Sequence, residues 1–238
     1  MSEHTVKSYE SELEAISTHV AQMGGVAEAL LQGAIDALQR RDSALADRMI
    51  ESDRRIDELE RTIEGEAVKI LALRQPVGVD LRLTVTALRI SNEIERIGDL
   101  AKNIAKRAQV LNRENPVRLT QGLVRMGRDC LAQIKAVLDA YAARDIDAAL
   151  DVWRRDEELD ELYNSIFREL LTYMMEDPRT ISLATHLLFI AKNLERAGDH
   201  ATNIAEQVIY LVRGSYVGED RPKGDATSTT AVPYEQAS

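Results

Sequence analysis

The chain has 238 residues and a formal net charge of −10, which argues against nonspecific binding to nucleic acid or to an anionic membrane surface. Only 12 glycines, 5 prolines and 4% aromatics accompany abundant Ala, Leu, Ile, Arg, Glu and Asp, the composition of long helices. Cys130 is the single cysteine, so an intramolecular disulfide is excluded. No apolar core of a signal peptide and no run of bilayer length occurs, and a cytoplasmic location is expected.

Taken in order, the chain shows six helical seams. Tyr9, Leu13, Ile16, Val20, Met23, Ala27, Leu30 and Ala34 recur in steps of four and three, the spacing of a bundle helix. After Arg41, Asp42 or Ser43 is placed to cap a second helix, whose seam runs Leu45, Met49, Ser52, Ile56, Leu59, Ile63, Ala67, Ile70 and stops near Pro76 and Gly78. The third seam is the most regular: Leu83, Ala87, Ile90, Ile94, Ile97, Ala101, Ile104, Ala108, Leu111. The cycle then restarts. A fourth seam spans Leu119 to Tyr141, a fifth Ala148 to Tyr173, and a sixth Leu183 to Leu211, the last matching the third position for position at an offset of 100 residues. Met23-Gly24 returns as Met126-Gly127 and Arg41-Asp42 as Arg144-Asp145, at an offset of 103. A period near 100 residues implies a duplicated domain. The expected fold is all-α: two tandem, similar three-helix bundles, elongated, over residues 1–113 and 114–214, with a disordered tail at 215–238.

The chemistry-bearing residues also come in duplicate. ERIGDLAKNIA at 95–105 returns as ERAGDHATNIA at 195–205. Glu95 and Asp99, and again Glu195 and Asp199, lie one helical turn apart on one face, where two carboxylates repel. Asp53 and Asp57 in the second helix return as Asp156 and Asp160 in the fifth, whereas the neighbouring Glu60 and Glu64 become Tyr163 and Phe167. If the middle and last helices of each repeat are neighbours, four carboxylates converge. An oxygen-only donor set favours Mg, Mn, Ca or oxidised iron over a structural zinc site. Two alternatives stand beside that: solvated or ion-paired helix faces, and close packing alone as the reason for Gly98 and Gly198. His200 adjoins Asp199 but reads as exposed, and Cys130 as a small core residue. No P-loop, nucleophile elbow or dinucleotide fingerprint is present, and no Glu-x-x-His supports a ferritin-like di-iron enzyme.

With these two repeated stretches, the two Asp-x-x-x-Asp pairs and RQPVGVDLR at 74–82, the sequence resembles the PhoU family. The resemblance implies two three-helix bundles and a regulatory, non-enzymatic role. PhoU-like proteins restrain the phosphate-starvation response and phosphate uptake, between a PstB-like ATPase of the phosphate ABC transporter and a PhoR-like sensor histidine kinase. Membrane contact would come only through those partners, and a homodimer is expected. The resemblance further implies metal ions, among Mg, Mn, Fe and Zn, held by Asp53, Asp57, Glu95, Asp99, Asp156, Asp160, Glu195 and Asp199. A metal-free helical adaptor is the alternative. One departure stands out: Asp80-Leu81-Arg82 aligns with Thr180-Ile181-Ser182, so the repeats differ at that element.

Overall fold

A computed structural model describes residues 3–115, 119–218, 224 and 227. The fold is all-α. The first repeat contains α1 (Glu3–Arg40), α2 (Ser43–Ser52), α3 (Arg54–Arg74) and α4 (Gly78–Leu111). The second contains α5 (Thr120–Ala143), α6 (Ile146–Arg154), α7 (Asp156–Glu176) and α8 (Ile181–Arg213), with one 3-10 turn at Pro178–Thr180. These are six long helices in two three-helix bundles, with the middle helix of each bundle broken once. At 38 residues α1 is roughly 57 Å long, so the molecule is elongated. Among the described residues no helix is long and apolar enough to cross a membrane.

The helix boundaries follow local chemistry. Asp42 caps α2 by accepting from the Leu45 N–H at 2.9 Å, and Asp145 caps α6 by accepting from Asp147 and Ala148. Each cap satisfies N–H groups that the helix itself leaves open. Gly214 closes α8 in the left-handed conformation, where a side chain would be strained. The expected continuous second and fifth helices are each interrupted beside the first acidic residue of the pair: Asp53 separates α2 from α3, and Arg155 separates α6 from α7. Gln133 donates to the Arg155 carbonyl at 3.1 Å, satisfying an acceptor at the break.

Every member of the third seam is buried, from Leu83 to Leu111. The first, fourth and sixth seams also face the core. A second stripe on α1 (Leu31, Ile35, Leu38) and α5 (Val124, Leu138) is buried too, because the two bundles pack against each other. That packing has an internal two-fold character. A Cβ built on Gly24 would meet Leu138 Cδ1 at 2.8 Å, and one on Gly127 would meet Ile35 Cδ1 at 2.7 Å. Both members of these pairs are related by the same 103-residue offset. As the position on α1 rises, its partner on α5 falls, so the helices run antiparallel. The pair α4 and α8 repeats the arrangement: Arg89 reaches Gln207 at 3.3 Å, and the related positions place Arg107 over the Phe189 ring at 4.1 Å.

Of the tail, Val217 packs on the core and Tyr216 stacks on Tyr210. The Gly224 N–H donates to Asp160 Oδ2 at 2.8 Å and its carbonyl accepts from Asn164 at 2.6 Å. Most of 219–238, for which disorder is expected, lies outside the described residues.

Helical glycines divide by surroundings. At Gly25 and Gly65 an added Cβ meets nothing within 4 Å, so Gly25→Ala and Gly65→Ala should each stabilise the fold by about 0.5–1 kcal/mol. At Gly98 the Cβ would fall 2.4 Å from Ile56 Cδ1, and overpacking of roughly 1–3 kcal/mol outweighs the helix gain. Urea denaturation of the three variants should raise the midpoint for the first two and not for Gly98→Ala.

Candidate functional site

The acidic pairs sit where α3 meets α4 and where α7 meets α8. Asp53 is 4% exposed, as are Asp156 and Asp160, and Glu195 is 5% exposed. Asp57, Glu95 and Asp199 are half-buried and Asp99 is exposed. A carboxylate so far removed from water needs a compensating partner, and the chain supplies its own.

In the first repeat that partner is Lys102. Its Nζ lies 2.6 Å from Asp53 Oδ2 and 3.3 Å from Asp99 Oδ1, bridging α3 and α4. The hydrogen bond to Asp53 holds the Lys102 ammonium above its ordinary pKa. Burial raises the pKa of the Glu95 carboxyl, and the nearby Asp99, Glu60, Asp57 and Asp53 charges add to the rise. In the second repeat the position of Lys102 is taken by Thr202, whose hydroxyl donates to Asp156 Oδ1 at 2.9 Å. The cation arrives from the other side: Lys192 Nζ is 2.9 Å from Glu195 Oε2 and 4.8 Å from the centre of the Tyr163 ring. Burial pushes Glu195 up to about 6 despite Lys192, with Asp199 and Asp160 also raising it.

This geometry corrects the metal expectation. Among the described residues, no group of three or more His, Cys, Asp or Glu side chains is positioned to hold a metal ion. Mg, Mn, Fe or Zn therefore finds no coordinating cluster at Asp53, Asp57, Glu95 and Asp99, nor at Asp156, Asp160, Glu195 and Asp199. The physical reason is that the most buried carboxylates already have partners: an ammonium on Asp53, a hydroxyl on Asp156, a main-chain N–H on Asp160 and an ammonium on Glu195. Gly98 and Gly198 serve close packing. Their Cβ positions lie 2.4 Å from Ile56 Cδ1 and from Leu159 Cδ2.

His200, expected at the surface, is buried and turned away from the acidic pairs. Its Nδ1 is 2.7 Å from Glu93 Oε2, which also accepts from Asn203 Nδ2 at 2.9 Å. Glu93 lies on α4 and His200 on α8, so this contact joins the two repeats. Burial would raise the Glu93 pKa, but the bonds from His200 and Asn203 outweigh it and hold the carboxyl below its ordinary range. Sequence patterning misses Glu93, Lys102 and Lys192 for one reason: at the 100-residue offset they align with Asn193, Thr202 and Asn92. Cys130 is fully buried, its thiol pushed up to about 12 by burial, and it is a core residue without nucleophilic character.

The departure at 80–82 has a structural meaning. Arg74 forms a two-point ion pair with Glu12 at 2.8 and 2.9 Å. Tyr9 donates to Asp80 Oδ2 at 2.9 Å, and Arg82 Nε donates to the Leu211 carbonyl at 3.2 Å. The segment fastens the first repeat to itself and to the end of α8. Thr180 to Ser182 do not reproduce these bonds.

Known proteins resemble the chain along nearly its whole length. The PhoU domain family matches it twice, at residues 20–108 and 123–208. A Caulobacter vibrioides protein named phosphate-specific transport system accessory protein PhoU homolog is 53% identical, covering 96% of this chain and all of that relative. A Rhizobium meliloti protein of the same name is 46% identical, covering 95% of this chain and 96% of the relative. Among solved structures, PhoU from Pseudomonas aeruginosa superposes with a TM-score of 0.85 at 43% identity, over 87% of this chain and all of that one. The phosphate transport system regulatory protein PhoU from Streptococcus pneumoniae gives 0.81 at 26% identity, over 89% of this chain and all of that one.

Two variants separate the ionic roles. Lys102→Met leaves Asp53 buried without its cation, and should cost roughly 2–3 kcal/mol in urea denaturation, less than a fully buried pair because Lys102 is part-exposed. Glu195 has a folded pKa of about 6 against an ordinary 4.5, so the native state takes up the proton first and stability falls as pH rises from 4.5 through 6. Glu195→Gln should therefore be more stable than the parent at pH 8, by up to about 2 kcal/mol, and level with it near pH 4. Denaturation midpoints across pH 4–8 measure this.

Proposed function

The chain belongs to the PhoU family, and from that premise we propose that it regulates phosphate transport as a metal-free helical adaptor. Its partners in this proposal are the PstB-like ATPase of a phosphate ABC transporter and a PhoR-like sensor histidine kinase. The observation that carries the reading is the match of both repeats to relatives named accessory and regulatory proteins of phosphate transport. Those names describe accessory and regulatory proteins, and this reading assigns the chain no catalytic step. An elongated bundle with long exposed helix faces suits docking to two partners. The acidic pairs enter as charge and packing elements within each bundle, compensated by Lys102, Thr202 and Lys192.

Tagged protein, with and without prior chelation, should capture the transporter ATPase and the kinase from lysate equally well. Capture lost on chelation and restored by one metal would overturn the metal-free part. Failure to capture either partner in both conditions would overturn the adaptor role.

A further inference from the structure

At one end of the molecule, α1 and α4 finish while α5 and α8 begin. Between them lies a cavity of about 470 Å³, within the size range of small-molecule sites. The floor is apolar, formed by Leu38, Leu111, Val124 and Leu183, and the rim carries the exposed guanidinium groups of Arg41, Arg125 and Arg128. None of its lining residues is acidic. Arg41 donates to the main-chain carbonyls of Asn112 and Glu114, and Arg128 to the Gln39 side chain at 3.1 Å. Arg125 makes no hydrogen bond or ion pair with a described residue. Three guanidiniums without a described carboxylate partner thus share one cavity, in a chain whose net charge is −10.

α5 adds to this field. Thr120 and Gln121, its first two residues, line the cavity, and Leu119 ahead of them provides no side-chain cap. The positive end of a 24-residue helix lies at the site.

The duplication provides an internal comparison. The related end of the molecule has cavities lined by Ser17, Leu83, Arg144 and Leu211, the counterparts of Thr120, Leu183, Arg41 and Leu111. There Arg125 and Arg128 correspond to Gln22 and Gly25, and the lining instead includes Glu10, Glu14 and Asp80. Arg82 also closes on the Leu211 carbonyl at that end, where this end has Ser182. The basic character therefore belongs to one end alone and is not a packing feature inherited by both repeats.

We propose that this cavity binds a small organic polyphosphate such as a nucleotide, its phosphoryl oxygens held by Arg41, Arg125 and Arg128 at the start of α5. Planar guanidiniums pair with phosphoryl oxygens two at a time, and three of them beside a helix N-terminus match a ligand of several negative charges. The apolar floor receives the organic body. This goes beyond the adaptor reading and depends on neither of its partners.

Calorimetric titration of the intact protein with ATP, pyrophosphate and inorganic phosphate tests it. ATP should bind more tightly than pyrophosphate, and phosphate most weakly. Arg125→Gln/Arg128→Gln should weaken ATP by about tenfold or more, while Arg54→Gln/Arg61→Gln, of equal charge change, should leave it unaltered. Light-activated labelling of the unmodified protein with 8-azido-ATP, mapped by peptide mass, should mark the ends of α1 and α4 and the start of α5, and needs no variant to fold. Pyrophosphate binding as tightly as ATP would overturn the organic part. Absence of binding by all three, equal loss in both double variants, or labelling elsewhere would overturn the site.

Discussion

The structure depends on how closely the two bundles approach each other. α1 lies antiparallel to α5 and α4 antiparallel to α8, and at two related points a glycine admits the branched side chain of the opposite helix. An alanine at either point would place its Cβ under 3 Å from Leu138 or Ile35. That proximity removes a second stripe of each inner helix from water, and each Leu or Ile so buried contributes about 1.5–3 kcal/mol. Between α4 and α8 the contact is partly polar, with Glu93 held by His200 and Asn203. A half-buried carboxylate with two donors orients a helix pair more strictly than apolar packing does, since a shift along the axis would strand it.

The fate of the acidic pairs follows from the same crowding. Packing α3 on α4 and α7 on α8 takes Asp53, Asp156, Asp160 and Glu195 nearly out of solvent, and their charges cannot be left to water. Each repeat answers differently. The first uses one lysine that reaches two aspartates across the helix pair, whereas the second divides the task among a threonine hydroxyl, a lysine and the N–H of Gly224. The second solution is weaker at Glu195, whose proton is lost only near pH 6. Carboxylates committed in this way do not form a coordinating cluster.

Much of the fold was legible because burial leaves a periodic trace. All nine members of the seam from Leu83 to Leu111 are in the core, and the duplication by 100 to 103 residues is visible in plain alignment. The second stripes on α1 and α5 were not legible: a helix that buries two faces shows both in sequence, but nothing local says what the second one meets. The breaks at Asp53 and Arg155 leave no proline or glycine to mark them. The candidate site was the least legible. Repetition drew attention to the eight carboxylates, while the groups that decide their chemistry, Lys102 and Lys192, are the residues that fail to repeat. A search weighted by recurrence selects the charges and discards their partners.

That bias reaches further than one site. A duplicated domain begins with two equivalent ends, and whatever both retain is required for the bundle itself: the seams, the capping aspartates, the glycines at close approach. Differences between the ends mark where that requirement has lapsed. Arg82 against Ser182 falls in the first turns of α4 and α8, while Gln22 against Arg125 and Gly25 against Arg128 fall on exposed positions of α1 and α5. At one end Arg82 ties the last turn of α8 and Asp80 holds Tyr9. At the other, arginines stand around an open apolar floor with no carboxylate lining it. One copy of the terminus closes on the protein's own groups, and the other leaves Arg125 without a described partner beside Arg41 and Arg128, which meet only neutral acceptors, so a ligand of opposite charge is their natural complement.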